Sequence, residues 1–431
     1  MMKVLAWKSL DAAGQKEALA RPPHKDDPVQ TAIIADIVQE VKERGDAAVR
    51  EFSERFDKVP PDLRVPSIEI NGSLAQIKPD LLQAMEAAVA TIMKFHEAER
   101  PHPMRVETMP GVTCELHWRA IDTVGLYIPG GSAPLFSTLI MQAIPSFIAG
   151  CRRRVLCTPP QRDGRVHPTI LAAAHLCGLT EVYAVGGAQA IAAMAYGTET
   201  IPKVDKISGP GNIYVTQAKQ IVARDPEGAA IDMPAGPSEV MVVTESSPRP
   251  DWIASDLLAQ AEHDADAQAI LVTTDPKLPD RVIKEIETQI AVLPRKEIAE
   301  KSLKEGRIIV APDMRTAIDI ANRYAPEHLI LHNEDSGRWL PEVKHAGSVF
   351  LGPWTPESAG DYASGTNHVL PTYGHARAYS GLTVMSYMKS MTVQKITREG
   401  IKKLGPTIVT LAEGEGLRGH AAATIERMND K

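Results

Sequence analysis

Gln260-Ala-Glu-His263 and, about a hundred residues later, Glu357-Ser-Ala-Gly-Asp361-Tyr-Ala-Ser-Gly-Thr-Asn-His368 read as two halves of one metal site. A helix over 256–264 would set Gln260 and His263, three residues apart, on one face, so that an amide oxygen and an imidazole nitrogen reach a single ion. Asp361 adds a carboxylate. Three such donors leave coordination positions open, the arrangement of a site that binds and orients a substrate rather than one that staples a fold. By spacing alone, the Gln260–His263 pair equally describes a solvated surface or a satisfied core contact.

A second constellation lies in Tyr324-Ala-Pro-Glu327-His328-Leu-Ile-Leu, where an acid and an imidazole stand side by side just before an apolar strand. Adjacent side chains diverge less in a turn than in extended chain, so the two could serve one substrate as general base and water activator. Local capping by Glu327 and a satisfied core histidine at 328 are the other reading of the same residues. Glu415 and His420 form a further acid and imidazole couple, which as surface residues of a helical tail would carry no chemistry. His96, His102, His167, His175 and His375 have no partner that the sequence names.

Elements must bring these residues together. Up to about Arg119 the chain is charged and helix-rich, with apolar residues at helical spacing from Thr31 through Val41. From Val124, short apolar runs alternate with amphipathic segments: strands at 124–128, 154–157 and 181–185 precede helices at 138–149, 168–176 and 188–196. A second series starts at Glu239, with strands at 240–243, 269–273, 308–310, 329–331 and 349–351 and helices at 252–262 and about 280–292. Strand followed by helix, twice over, means α/β architecture with two doubly wound units on parallel sheets. The alternation stops near Gly374, and 396–404 with 407–412 read as a helical tail.

Glycine-rich turns follow three of the strands or precede a helix: Pro129-Gly-Gly-Ser-Ala-Pro, Val185-Gly-Gly-Ala-Gln189, and Ser208-Gly-Pro-Gly-Asn212 before a helix over 213–223. Glycine there lets backbone N–H groups approach an anion, so a dinucleotide is a fitting tenant, and tight βα turns are the alternative. The literal G-x-G-x-x-G, Gly414 to Gly419, follows a helical segment with too little chain after it for a strand, a helix and a second strand. It is not a dinucleotide fingerprint.

Composition excludes several classes. A net charge of -7 with both signs interspersed offers no basic stripe for nucleic acid, and 44% hydrophobic residues in 431 is ordinary for a globular enzyme of more than one domain. The apolar stretch 138–149 is short and broken by Gln142 and Pro145, so no membrane span is expected, and the N-terminus lacks the pattern of a signal peptide. A cytoplasmic location is expected. Cys114, Cys151, Cys157 and Cys177 lack C-x-x-C spacing and are assigned neither metal nor disulfide.

Several long segments in order, among them Val124-Gly-Leu-Tyr-Ile-Pro-Gly-Gly-Ser-Ala-Pro, Gly186-Gly-Ala-Gln-Ala, Gly209-Pro-Gly-Asn, Ala235-Gly-Pro-Ser-Glu, Gln260-Ala-Glu-His, Pro326-Glu-His-Leu and Gly360-Asp-Tyr-Ala-Ser-Gly-Thr-Asn-His, resemble the histidinol dehydrogenase family. The resemblance runs from about Ala35 to the end. It implies a homodimer of two incomplete Rossmann-like domains with small N- and C-terminal helical segments, using NAD and one zinc ion per subunit to oxidise L-histidinol through the aldehyde to L-histidine. On matching positions it implies zinc ligands Gln260, His263, Asp361 and, from the partner subunit, His420. Ser238, His328, His368 and Glu415, with the zinc ligands, would line the substrate pocket, and Tyr127, Gln189 and Asn212 would contact NAD. His328 would act as general base and Glu327 would activate water.

The domains expected on this basis are 1–26 as an N-terminal segment, 27–123 with 239–380 for zinc and substrate, 124–238 for NAD, and 381–431 as a helical tail reaching the partner. Where the family pattern has Gly-Pro-Asp-Ser after the histidine, this chain has Asp264-Ala-Asp266-Ala. Two other readings stand beside the first: a related NAD-dependent dehydrogenase of another small polar alcohol, such as a sulfonated or aminated diol, and a zinc hydrolase in which Glu327 activates water and no hydride moves.

Overall fold

A computed structural model describes residues 2–22, 28–58, 62–130, 133–233 and 236–430. Gly131 and Ser132 of the first glycine turn, Ala235 of the Ala-Gly-Pro-Ser-Glu segment, and the expected boundary at 26–27 lie outside the described residues. The chain runs through β1 (Lys3–Ala6), α1 (Ala12–Ala18), α2 (Pro28–Arg44), α3 (Asp46–Asp57), α4 (Ser67–Gly72), α5 (Pro79–Ala98), β2 (Met104–Met109) and β3 (Val112–Ala120). The first alternating series is β4 (Thr123–Tyr127), α6 (Phe136–Ala149), β5 (Arg153–Thr158), α7 (Pro168–Leu176), β6 (Glu181–Ala184), α8 (Gly187–Tyr196), β7 (Lys206–Ser208), α9 (Ile213–Arg224) and β8 (Ala230–Ile231). The second is β9 (Glu239–Thr244), α10 (Pro250–Ala261), β10 (Gln268–Thr273), α11 (Leu278–Ile290), α12 (Lys296–Glu305), β11 (Arg307–Val310), α13 (Met314–Tyr324), β12 (His328–Leu331) and β13 (Ser348–Leu351). It is followed by α14 (Glu357–Tyr362), β14 (Met388–Ile396), α15 (Arg398–Gly414) and α16 (Arg418–Met428).

The two series form two parallel sheets, ordered β6-β5-β4-β7-β8 and β1-β11-β10-β9-β12-β13. Each contains the same doubly wound order, with its first strand (β4 or β9) beside its fourth (β7 or β12). The α/β expectation therefore holds. Strands such as Glu239–Thr244 and Gln268–Thr273 are buried along their whole length. That is why they read in sequence as unbroken apolar runs: helices cover both faces. Alternate residues of β9 enter different cores, Val240 and Val242 against α10 to α12, Met241 and Val243 against α13 and Trp7.

Three expectations about organisation need correction. Ile34, Val38, Val41, Val49 and Phe52 share a core with Val155, Tyr183 and Ile191, while Met85 and Ile92 join the opposite face of the same sheet. Helices α2 to α5 therefore pack on the 124–231 sheet rather than with 239–380. Helical periodicity tells which face is buried, not what buries it. Residues 3–6 are not a separate segment either, because β1 extends the second sheet beside β11. The third correction concerns 381–431, which is not wholly helical: β14 pairs antiparallel with β3 over nine residues, and β3 with β2. Almost every residue of β14 and β2 is exposed, so neither shows the burial alternation that marks a strand. Among the described residues no helix is long and apolar enough to cross a membrane.

Candidate active site

Between the sheets lies a cleft of about 1270 Å³. The first sheet presents the carboxyl ends of its strands to the cleft, at the switch point between β4 and β7 where ligands of doubly wound sheets bind. The second presents the opposite, amino ends: Ser238 and Glu327 precede β9 and β12, and His328 is the first residue of β12. An extended ligand on the first sheet thus meets polar groups emerging from the start of the second.

At that start, β9 and β12 run side by side with His328 opposite Val240. The Glu239 N–H donates to Glu327 Oε2 at 2.8 Å, and the Glu239 carbonyl lies 3.1 Å from His328 Nδ1. A carbonyl can only accept, so the proton of a neutral His328 sits on Nδ1 and leaves Nε2 as the basic nitrogen. Among the described residues Nε2 has no hydrogen-bond partner; it is buried and stands 3.6 Å from Asp361 Oδ1. Burial raises the Glu327 carboxyl to about 7. For His328 burial acts downward, but Glu357, Glu327 and Asp361 outweigh it and raise the imidazole to about 10.

Gln260, in the last turn of α10, is fully buried, and hydrogen bonding orients its amide with nitrogen toward Glu357 Oε1 (3.0 Å) and the Glu239 carbonyl (3.2 Å). The oxygen is thereby assigned to the opposite side. The helix ends at Ala261, not at 264: Glu262 caps it and the Asp264 carboxylate accepts from Asp266 N–H in the next turn. His263 sits in that turn, not on the helix, and still lines the cleft beside Gln260. Burial lowers its pKa, keeping the imidazole neutral. At Asp361, burial acts upward but the His328 imidazole beside it outweighs it, so the carboxyl is lowered. His368 Nδ1 lies 2.7 Å from the Asp361 carbonyl, and its Nε2 lies 3.2 Å from the Thr138 hydroxyl.

These donors fit zinc. A neutral imidazole and an ionised carboxylate are its usual partners, the Gln260 amide oxygen is a further neutral oxygen donor, and His328, Glu357 and Asp361 also bring possible ligand atoms within 4.8 Å of one another. On the other wall, Tyr127 at the end of β4 is buried, and its hydroxyl accepts the Gly187 N–H at 3.0 Å. Gln189 and Asn212 line the same wall, and Asn212 Oδ1 caps α9 through Tyr214 and Val215 N–H groups. Gly209 (φ 119°) admits no side chain, because a Cβ would collide with the Tyr127 carbonyl. The cleft exceeds what a small alcohol alone requires, and its glycine turns and the α9 N-terminus suit a dinucleotide phosphate.

The histidinol dehydrogenase family model matches residues 19–428. This chain belongs to the histidinol dehydrogenase family. It is 51% identical over 428 residues to the histidinol dehydrogenase of Vibrio parahaemolyticus, covering 99% of this chain and 98% of that one. The Escherichia coli histidinol dehydrogenase is 49% identical over 427 residues, again covering 99% and 98%. The crystal structure of the Elizabethkingia anophelis histidinol dehydrogenase superposes with a TM-score of 0.95 at 45% identity, covering 99% of this chain and 98% of that chain. The likeness begins upstream of Ala35, where the sequence motifs first carry it.

Of the residues that the family resemblance singles out, Tyr127, Gln189, Asn212, Ser238, Gln260, His263, Glu327, His328, Asp361 and His368 all line the cleft. Glu415, at the end of α15, and His420, in α16, do not line it and are exposed. Glu357, Asp256 and Glu239 also lie around the cluster, outside the expected set of ligands and catalytic groups. Glu357 stands four residues before Asp361, a spacing that places both on one face of α14 and could have pointed to it. Asp256, one turn before Gln260 on α10, faces the backbone N–H of Glu357, so it ties the two short stretches that carry Gln260 and Asp361.

Proposed function

We propose that this chain oxidises L-histidinol to L-histidine in two NAD-dependent steps at the cleft between its sheets, with Glu327 and His328 as the reacting groups. Membership in the histidinol dehydrogenase family gives the reaction class. The observation that carries the residue assignment is the unpartnered His328 Nε2, buried beside Asp361 and flanked by Glu327. His328 takes the alcohol proton at Nε2 in its neutral form; its pKa of about 10 makes that the minor form near neutral pH unless a cation held beside Asp361 offsets the surrounding carboxylates, which stabilise the imidazolium once it forms. Glu327, raised to about 7, is tuned to take a proton from water as it adds to the aldehyde, giving the hydrate for the second oxidation.

Gln260, His263 and Asp361 would hold the zinc ion, together with His420 of the partner subunit. When bound, zinc would serve to orient the substrate and NAD would supply the hydride acceptor. Ser238, His368 and Glu415 would complete the substrate pocket, and Tyr127, Gln189 and Asn212 would bind NAD. The exposure of Glu415 and His420 away from the cleft of their own chain supports a homodimer with shared sites. A cytoplasmic location accords with a biosynthetic oxidation that consumes NAD.

The test is anaerobic NADH formation from limiting L-histidinol, excess NAD and zinc-loaded protein, with the product identified by mass. About two NADH per histidinol, with histidine as product, is expected for a four-electron oxidation. No NADH from intact, metal-loaded protein would overturn the substrate assignment.

A further inference from the structure

Arg21 comes from the stretch after α1, far from the catalytic pair in sequence, yet its guanidinium lies directly behind that pair. Nε and Nη2 donate to the two carboxylate oxygens of Glu239, the latter at 2.8 Å. Nη2 also donates to the carbonyls of Tyr324 (2.9 Å) and Ala325 (3.3 Å), and the guanidinium stands 3.8 Å from the centre of the Tyr324 ring. The ion pair is secluded, with side chains 13% and 1% exposed.

What these contacts hold matters more than the pair itself. Glu239 is the residue whose N–H donates to Glu327 and whose carbonyl faces His328 Nδ1. Its carboxylate is gripped by Arg21 and by the Tyr373 N–H (3.1 Å). Tyr324 and Ala325 end α13, with Ala325 in the left-handed region (φ 55°), and Pro326-Glu327-His328 follows at once. One side chain therefore clamps the start of β9 and the approach to β12 together, at the edge where both catalytic groups emerge.

We infer that Arg21 is a positioning residue for Glu327 and His328, fixing through Glu239 and the Tyr324–Ala325 carbonyls the peptide groups against which both are oriented. The inference rests on the reading of Glu327 and His328 as the reacting pair. Arginine is required because four acceptors in two directions need its rigid planar fork, and a lysine ammonium cannot reproduce bidentate binding. Without it, the buried Glu239 carboxylate loses its counter-charge, and the backbone around it must shift or admit water.

Arg21→Lys tests this. The variant is expected to fold, to retain zinc, and to keep KM for histidinol within about twofold, while kcat falls about 10- to 100-fold, the cost of a small misplacement of reacting groups. Glu239→Gln, which keeps the shape but weakens the grip, should lower kcat in the same way, and serves if the lysine variant does not fold. Lower thermal stability with unchanged kcat would mean a merely structural role and would overturn the inference. A crystal structure of the variant reads the same point without turnover. Displacement of Glu327 from the Glu239 N–H supports the inference even if another alcohol proves to be the substrate, and retention of both contacts defeats it.

Discussion

Glu357 Oε1 stands 3.6 Å from His328 Nδ1 and 3.0 Å from the Gln260 amide nitrogen, so one buried acid lies against both His328 and Gln260. Its other oxygen has no hydrogen-bond partner among the described residues. By accepting from the amide nitrogen, Glu357 settles which way Gln260 turns its oxygen.

Glu357→Ala is therefore expected to fold and to bind zinc about 10- to 100-fold more weakly, the usual consequence of removing a group that orients a metal ligand. Competition with a chromogenic chelator measures this without turnover. Unchanged zinc affinity would remove Glu357 from the positioning of Gln260.

Much of this arrangement was legible in the chain. Both parallel sheets show themselves because strands such as Val124–Tyr127 and Val240–Val243 are covered on two faces and leave uninterrupted apolar runs. Tyr127, Ser238, Glu327 and His328 lie in motifs at strand ends, whereas Gln260 and Asp361 are carried by helices α10 and α14. What the sequence hides is partnership: nothing in the amphipathic helix carrying Ile34 and Val38 says that it covers Val155 and Tyr183, and nothing in Arg21 announces Glu239. Strands β2 and β14 are hidden for a different reason, since neither buries a face within the chain. Glu357 is hard to see in sequence because a buried acid acting through a neighbouring amide has no spacing rule of its own beyond a shared helix face.

Glu327→Gln separates the two oxidations. The amide keeps an oxygen to accept the Glu239 N–H but cannot take a proton from water. The variant is expected to hold zinc and to slow hydration of the aldehyde by about 10²- to 10⁴-fold, the span of a lost general base. Single-turnover NADH formation then approaches one equivalent per histidinol, and an aldehyde trap captures the intermediate. Two rapid equivalents, as in the unaltered protein, would exclude Glu327 from water activation.

Subunit mixing tests the shared site. Gln260 lines the cleft, whereas His420 is exposed on α16. If His420 of the partner subunit completes each site, Gln260→Ala and His420→Ala homodimers should both be nearly inactive. A hybrid of the two has one site with both defects and one site with neither. Random reassociation then restores about a quarter of normal activity, because half of the dimers are hybrids with one working site each. No recovery from well-folded mixed dimers would place His420 outside the partner's site.

Asp256 supplies a pH signature independent of substrate. Its carboxyl is raised to about 7 by burial, against an opposing contribution from the Glu357 N–H. In the unfolded chain it titrates near the ordinary value of about 3.9. Between those values the folded state holds a proton that the unfolded state has released, so this group makes stability fall as pH rises from about 4 to about 7 and then level off. Asp256→Asn retains an acceptor for the Glu357 N–H and removes the titration. Relative to the unaltered protein it should gain stability progressively from pH 5 to pH 8, by about 2–4 kcal/mol at the upper end. Chemical denaturation of both proteins in chelator at several pH values measures the difference, in which the titrations common to both cancel. A margin independent of pH would show that Asp256 is already ionised in the folded protein at pH 5, and that burial does not govern it.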